Sequence, residues 1–108
     1  MTTLKIPGLR NPLSLEPIVW IEGDGNYSWI HFSARPKLLA TQTLKWFANQ
    51  LPSFIRVHKS SLVNLSHVKA FHRINSGEAK IILSNETALL VSRRRIQSIV
   101  DFLKKVGF

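Results

Sequence analysis

Residues 54–64 have the sequence FIRVHKSSLVN, in which a polar turn stands between two apolar segments. Ile55–Val57 and Leu62–Val63 have the apolar, β-branched composition of strands. The stretch as a whole carries two cations, Arg56 and Lys59, together with a histidine and two serines. A turn that rigid strands hold in place presents its hydrogen-bond donors at fixed positions. The stretch therefore predicts an antiparallel β-hairpin whose turn binds an anionic partner.

Short apolar segments separated by turn residues continue on both sides of this hairpin. In Tyr27–Phe32, the alternation puts Ile30 and Phe32 on one face and the other aromatic side chains on the opposite face. Residues 22–26 are predicted to be a turn in which both glycines are free to adopt a positive φ. The remaining predicted strands are Ile18–Ile21, Lys37–Thr41, His67–Ile74, Lys80–Leu83 and Ala88–Val91.

Apolar residues at helical spacing predict two helices. The first begins after Thr41 or Thr43 as its cap and runs through Gln50. The second runs over residues 93–105, with Ser92 as its N-cap. The chain is therefore predicted to be mainly β, with short antiparallel strands, one short internal helix and a C-terminal helix.

The length of 108 residues fits one domain with a single hydrophobic core. Residues 1–16 include two prolines and a glycine, and are expected to form a leader or an edge strand around Leu4–Ile6. Residues 17–108 are expected to form the domain. There is no cysteine, and no apolar run is long enough for a signal peptide or a membrane span. A cytoplasmic protein without disulfides is expected.

Positive charge is concentrated in the second half of the chain. Residues 1–55 hold five cations and three acids, whereas residues 56–108 hold ten cations and three acids. No basic amphipathic surface helix accompanies this excess, so nucleic acid is favoured over a membrane as the partner. Arg93, Arg94 and Arg95 are expected near the positive end of the last helix, where only a bound phosphate makes three guanidiniums favourable.

No set of residues predicts catalysis. His67 and His72 are five apart on a predicted strand and so face opposite sides, which is unsuitable for a metal site. His58 has nearby serines but no carboxylate partner in sequence. We therefore expect no enzymatic activity, no cofactor and no metal.

Three motifs in order resemble the LytTR-type DNA-binding domain of bacterial response regulators. They are IVWIEGDGNY at 18–27, LP at 51–52 followed by FIRVHKSSLVN at 54–64, and LLVSRR at 89–94. The resemblance implies an elongated stack of small antiparallel β-sheets whose loops enter successive major grooves. It also implies a transcriptional regulator, of the kind used in two-component systems, that binds paired direct repeats in promoters.

By position, the resemblance implies base contacts from the turn that includes Asn26 and Ser28, from Lys59 and from Arg94. Lys59 stands where arginine is common in the family, so a two-point guanine contact becomes a single-point contact. For His58, ordering of the turn is an equal alternative to phosphate contact, and Asn64 is expected to be structural. The expected phosphate contacts are Arg56, His58, Ser60, Lys69, Arg73, Arg93 and Arg95.

The expected partner is double-stranded DNA, bound by two copies on repeated half-sites, with no insertion into a membrane. Only about 16 residues precede the motifs, so a receiver domain is not expected and the signal would come from expression level, a regulatory protein partner or the leader.

Two alternatives stay open. One is an RNA-binding or ribosome-associated β protein. The other is a protein-interaction module that uses the region of Trp46.

Overall fold

A computed structural model describes residues 2–107 of the chain. Most of the regular structure is β, in agreement with the predicted fold class. The strands are β1 (Thr3–Leu4), β2 (Leu13–Ser14), β3 (Ile18–Asp24), β4 (Tyr27–Phe32), β5 (Leu38–Ala40), β6 (Phe54–His58), β7 (Ser61–Asn64), β8 (Val68–Asn75), β9 (Glu78–Leu83) and β10 (Ala88–Val91). The helices are α1 (Leu44–Gln50) and α2 (Ile96–Lys105), and 3₁₀ turns are formed by Leu65–His67 and Arg93–Arg95.

The strands form three antiparallel sheets. A five-stranded sheet has the order β5-β4-β3-β7-β6, a three-stranded sheet has the order β10-β9-β8, and β1 pairs with β2. The two larger sheets meet where the backbone N–H of Ser92, just after β10, donates to the carbonyl of Val57 in β6 at 2.8 Å. The molecule is elongated, with extents of 44 × 29 × 22 Å. The predicted stack of small antiparallel sheets is confirmed.

Two hydrophobic clusters cover opposite faces of the five-stranded sheet, so the expectation of a single core was wrong. In the first, Ile30 and Leu62 pack against Phe47 of α1. In the second, Val57 and Val63 pack with the three-stranded sheet and with α2. The physical reason is that the central strands are apolar on both faces, and each face must be covered.

The N-terminal residues belong to the first cluster. Leu4 and Ile6 are buried there, and β1 with β2 forms the small sheet beside it. An edge strand is therefore present close to the predicted position. The domain boundary at residue 17 stays a prediction.

The two helices begin differently. The Thr43 side chain accepts a hydrogen bond from the backbone N–H of Trp46 at 3.2 Å, so of the two predicted caps, Thr41 and Thr43, the cap of α1 is Thr43. Ser92 stands at the N-cap position of the arginine turn but makes no side-chain capping bond, and it does not cap α2. The three arginines form a 3₁₀ turn that the Arg95 N–H closes onto the Ser92 carbonyl at 2.8 Å, and α2 begins only at Ile96. Within residues 2–107, neither helix combines the length and the apolar character that crossing a membrane requires.

Candidate nucleic-acid interface

Four turns lie at the same end of the β-sheets, where strands terminate, and we call this region the basic edge. Each follows the carboxyl end of a strand: residues 25–26 after β3, 59–60 after β6, 76–77 after β8 and 93–95 after β10. The backbone N–H of Gly23 donates to the carbonyl of Ser60 at 2.9 Å, which joins the first two turns. The bond from Ser92 to Val57 brings the arginine turn to the end of β6. Segments far apart in sequence therefore present their side chains together.

Arg56 connects the β6–β7 turn to the arginine turn. Its Nε donates to the carbonyl of His58 at 3.4 Å and its Nη2 donates to the carbonyl of Lys59. Its positive charge also lies close enough to Arg95 to lower the pKa of the Arg95 guanidinium. The guanidinium of Arg56 is thus held by the turn that carries Lys59 and stands beside the turn that carries Arg94.

Electrostatic repulsion is present within this cluster. Partial burial, and then the positive charges of Arg94 and Arg56, lower the pKa of Arg95 below its ordinary value. The shift means that the folded chain holds a guanidinium in surroundings that disfavour its charge. An isolated domain gains no stability from this arrangement. A bound polyanion would attract all three guanidiniums and so turn the unfavourable electrostatic energy into a favourable one.

Arg93 and Arg73 extend the basic edge toward the β8–β9 turn. The guanidinium of Arg93 packs on Gly77, where an added Cβ would lie 3.3 Å from its Nε. Arg73 pairs across the sheet with Ala79, which in turn pairs with Val91, the last residue of β10. Both arginines are exposed at this end of the three-stranded sheet.

His58 and Ser60 are bonded to each other inside the β6–β7 turn. The His58 Nδ1 lies 3.2 Å from the Ser60 hydroxyl and accepts from the Ser60 backbone N–H at 3.4 Å. These bonds order the turn, as the alternative interpretation of His58 proposed. Phosphate contact by either side chain stays a prediction.

Asn26 and Ser28 have different positions. Asn26 is exposed in the turn after Gly25, whose φ is 61°. Ser28 is 0% exposed, and its hydroxyl donates to the carbonyl of Gln42 at 2.8 Å. The prediction of Ser28 as a base contact was wrong, because the alternation of β4 turns it inward with Ile30.

Lys69 is far from the basic edge. It is the second residue of β8, whereas the Gly77 turn follows the last residue of that strand. Its ammonium is paired with the carboxylate of Glu86 in the β9–β10 turn. The structure therefore does not bring Lys69 together with the other predicted phosphate contacts.

The acids nearest the edge are bonded to side chains other than the arginines. Glu22 pairs with His31 at 3.0 Å, Asp24 accepts from the indole of Trp29 at 3.4 Å, and Glu78 accepts from Asn75 at 2.8 Å. The positive charge of the edge is consequently left available to a ligand. Among residues 2–107, no group of three potential metal-binding side chains comes together.

One cation was missed in the sequence. Lys45, in the first turn of α1, lines a groove with Lys59 and Arg56. The sequence signal for this groove was Gly23. It lies in β3 and not in the predicted turn, and its φ is not positive, so the turn conformation does not explain why it is a glycine. An added Cβ at Gly23 would lie 3.2 Å from the Cβ of Leu44, so glycine permits α1 to approach the hairpin closely.

A β-sheet scaffold that gathers cations from separate turns is typical of a nucleic-acid-binding domain. The family model for the LytTr DNA-binding domain matches residues 10–104, and the chain belongs to this family. It is therefore a DNA-binding domain of the kind found in transcriptional regulators, and the family is defined by DNA binding rather than by catalysis.

Two similar proteins agree with this assignment. A curated relative, the CO-responsive transcriptional regulator RcoM from Rhodospirillum rubrum, is 38% identical over 64 residues. The match covers 56% of this chain and 26% of the relative, so the chain spans about a quarter of that protein. A solved structure, described as the LytTr DNA-binding domain of a response regulator from Bacillus cereus, has a TM-score of 0.75. It is 24% identical and covers 99% of this chain and 96% of its own, which shows the same fold.

Proposed function

We propose that this domain binds specific double-stranded DNA sequences in promoters by inserting its turns into major grooves. Two copies bind paired direct repeats, as part of a cytoplasmic transcriptional regulator that answers to a signal or a protein partner. In this proposal Arg94, Lys59 and Asn26 contact base edges. The backbone phosphates are held by Arg56, Arg73, Arg93 and Arg95, with His58 and Ser60 ordering the β6–β7 turn.

The observation that carries the proposal is the repulsive cluster of Arg56, Arg94 and Arg95. Their guanidiniums come from two separate elements, and the charges of Arg94 and Arg56 lower the pKa of Arg95. Arg94 is exposed and has no carboxylate partner among the described residues. An arginine in this setting is suited to the O6 and N7 acceptors of guanine, which it can contact with two parallel hydrogen bonds.

Selection of bound sites from a random duplex library tests the proposal. A shared motif is expected, repeated at a spacing near 10–10.5 base pairs or a multiple of it, since each copy must meet the same face of the helix. Enrichment of no motif, or stronger competition by RNA than by duplex DNA, would contradict sequence-specific DNA binding.

The Arg94→Ala variant then tests the role of Arg94. Binding to the selected site should weaken by about 1–3 kcal/mol, with much less change on random DNA. Equal losses on both would make Arg94 a phosphate contact.

If the wild-type domain neutralises about 4–6 phosphates, the logarithm of its affinity should fall against the logarithm of salt concentration with a slope of about −4 to −5.

A further inference from the structure

A groove of about 440 Å³ lies beside the β6–β7 turn, between two of the motifs that predicted DNA contacts and the start of α1. Three elements form it: the end of β3 with its turn, the start of α1 and the β6–β7 turn. Its lining residues are Gly23, Asp24, Gly25, Thr43, Leu44, Lys45, Arg56, Lys59 and Ser60. We call it the Lys45 groove.

The walls of the Lys45 groove are held in place by packing and backbone bonds. Gly23 contacts Leu44 closely, and its N–H donates to the carbonyl of Ser60 at 2.9 Å. Leu44 is buried in the first cluster, and the Thr43 hydroxyl caps the helix that follows it. Because each wall is anchored to another, the side chain of Lys45 begins from a fixed backbone position.

The groove is positively charged. Lys45, Lys59 and Arg56 line it against one acid, Asp24, whose carboxylate accepts from the Trp29 indole. Lys45 and Lys59 are both exposed, and neither forms an ion pair with any residue in 2–107. Arg56 donates two of its five N–H groups to carbonyls of the turn, so its other N–H groups and the two lysine ammoniums supply the free donors.

We infer that the Lys45 groove takes a phosphate group of the DNA backbone, with Lys45 donating to it beside the base contact of Lys59. The inference rests on the proposed function and extends it to a contact that comes from a helix instead of a strand turn. An ammonium on a flexible stem suits this role because it contacts a phosphate as a point charge. Lys45 would thereby fix the position of the β3–β4 turn on the duplex, while Arg94 contacts bases elsewhere along the edge.

Titration of selected and random duplexes with the Lys45→Ala variant tests the inference. One phosphate contact contributes a slope of about 0.9, so at 0.1 M salt its loss should weaken binding about eightfold. The loss should be equal on both duplexes, and the salt slope should become shallower by about one. Lys45→Arg should restore both quantities, because the cation is kept.

Lys104→Ala is the matched control, since Lys104 is exposed near the carboxyl end of α2. If Lys45→Ala binds DNA no more weakly than Lys104→Ala, the inference is wrong while the proposed function stands. If the wild-type domain itself fails to bind duplex DNA, the proposed function fails first. The two failures are therefore distinguishable.

A second measurement separates backbone phosphate from a free anion. Inorganic phosphate, titrated without DNA, should shift the NMR signals of Lys45 and Lys59 only weakly and without saturation up to 10 mM. Saturation below about 1 mM, together with unchanged DNA binding by Lys45→Ala, would overturn the backbone assignment in favour of a site for a free phosphate.

Discussion

Polar side chains at the two ends of the β-sheets are arranged in opposite ways. At the basic edge, Lys59, Arg93 and Arg94 are exposed without carboxylate partners among the described residues. At the other end, which we call the bonded end (residues 64–69 and 84–87), polar groups are matched internally. Lys69 pairs with Glu86, and the ring of His67 bonds to the Ser84 hydroxyl and to the Glu16 carbonyl.

Asn64 illustrates the bonded end. Its Nδ2 donates to the carbonyls of Ile18 and Leu15 at 2.9 and 3.3 Å, and its Oδ1 accepts from the N–H and hydroxyl of Ser66. The predicted structural role of Asn64 is thus confirmed. The comparison shows that polar residues of one motif have two roles. Asn64 forms hydrogen bonds that stabilise the fold, whereas Lys59 is available to bind a ligand.

The largest effect expected from breaking the bonded end is on stability. Asn64→Ala removes the side-chain bonds to the buried Ile18 carbonyl and to the partly buried Ser66 N–H, so the free energy of unfolding in urea should fall by about 3 kcal/mol. Asn85→Ala is the control, since its side chain accepts one exposed bond from Thr87 and should cost less than about 1 kcal/mol. Equal losses in the two variants would contradict the distinction between a buried and a surface network.

A smaller change at the basic edge should affect both stability and binding. Gly23→Ala places a Cβ 3.2 Å from that of Leu44, so we expect a loss of about 1–2 kcal/mol in unfolding free energy and weaker DNA binding. Gly77→Ala meets only the flexible end of Arg93 and should change stability by less than about 0.5 kcal/mol. If both substitutions are equally tolerated in urea unfolding, close packing of the hairpin on α1 is not required.

Arg95→Gln should have opposite effects on folding and on binding. Removal of a guanidinium whose pKa is lowered by burial and by like charges should raise the unfolding free energy by up to about 0.5 kcal/mol at low salt. DNA affinity, measured by titration, should fall. The control Lys104→Gln removes a cation from the carboxyl end of α2 and should lower stability by about 0.3–1 kcal/mol. A loss of stability in Arg95→Gln would show that the charge cluster is not strained in the free domain.

The smallest effect is expected from Lys69→Ala. The ion pair with Glu86 is exposed, so unfolding free energy should change by about 0.3 kcal/mol. DNA affinity should stay within twofold of wild type, with an unchanged salt slope. A loss near eightfold with a shallower slope would return Lys69 to the phosphate contacts that the sequence predicted.

Much of the fold followed from local patterns. The alternation in β4 correctly put Ile30 and Phe32 on one face, which is the buried face in the structure. Ser28 lies on that face by the same alternation. The resemblance led to Ser28 as a base contact although the period of the strand already excluded it. The cap at Thr43 and the β6–β7 turn were also predictable, because they depend on neighbouring residues only.

The strand order and the charge pairings were not predictable in this way. The helical pattern did not distinguish a 3₁₀ turn over Arg93–Arg95 from the first turn of α2, because both have nearly the same spacing. Whether Lys69 met a carboxylate or a phosphate depended on the position of the β9–β10 turn. The second outcome is long-range, because it joins residues that are 17 apart in sequence.

Strand periods, turn chemistry and an excess of cations are properties of short windows of sequence, and they sufficed for a mainly β domain that binds a polyanion. The convergence of Lys45 with Lys59, and of Arg56 with Arg95, required the folded chain. The physical reason is that a period of two or 3.6 residues tells each side chain which face it occupies. Only hydrogen bonds and packing between distant segments, such as Gly23 with Ser60 and Leu44, decide which faces meet.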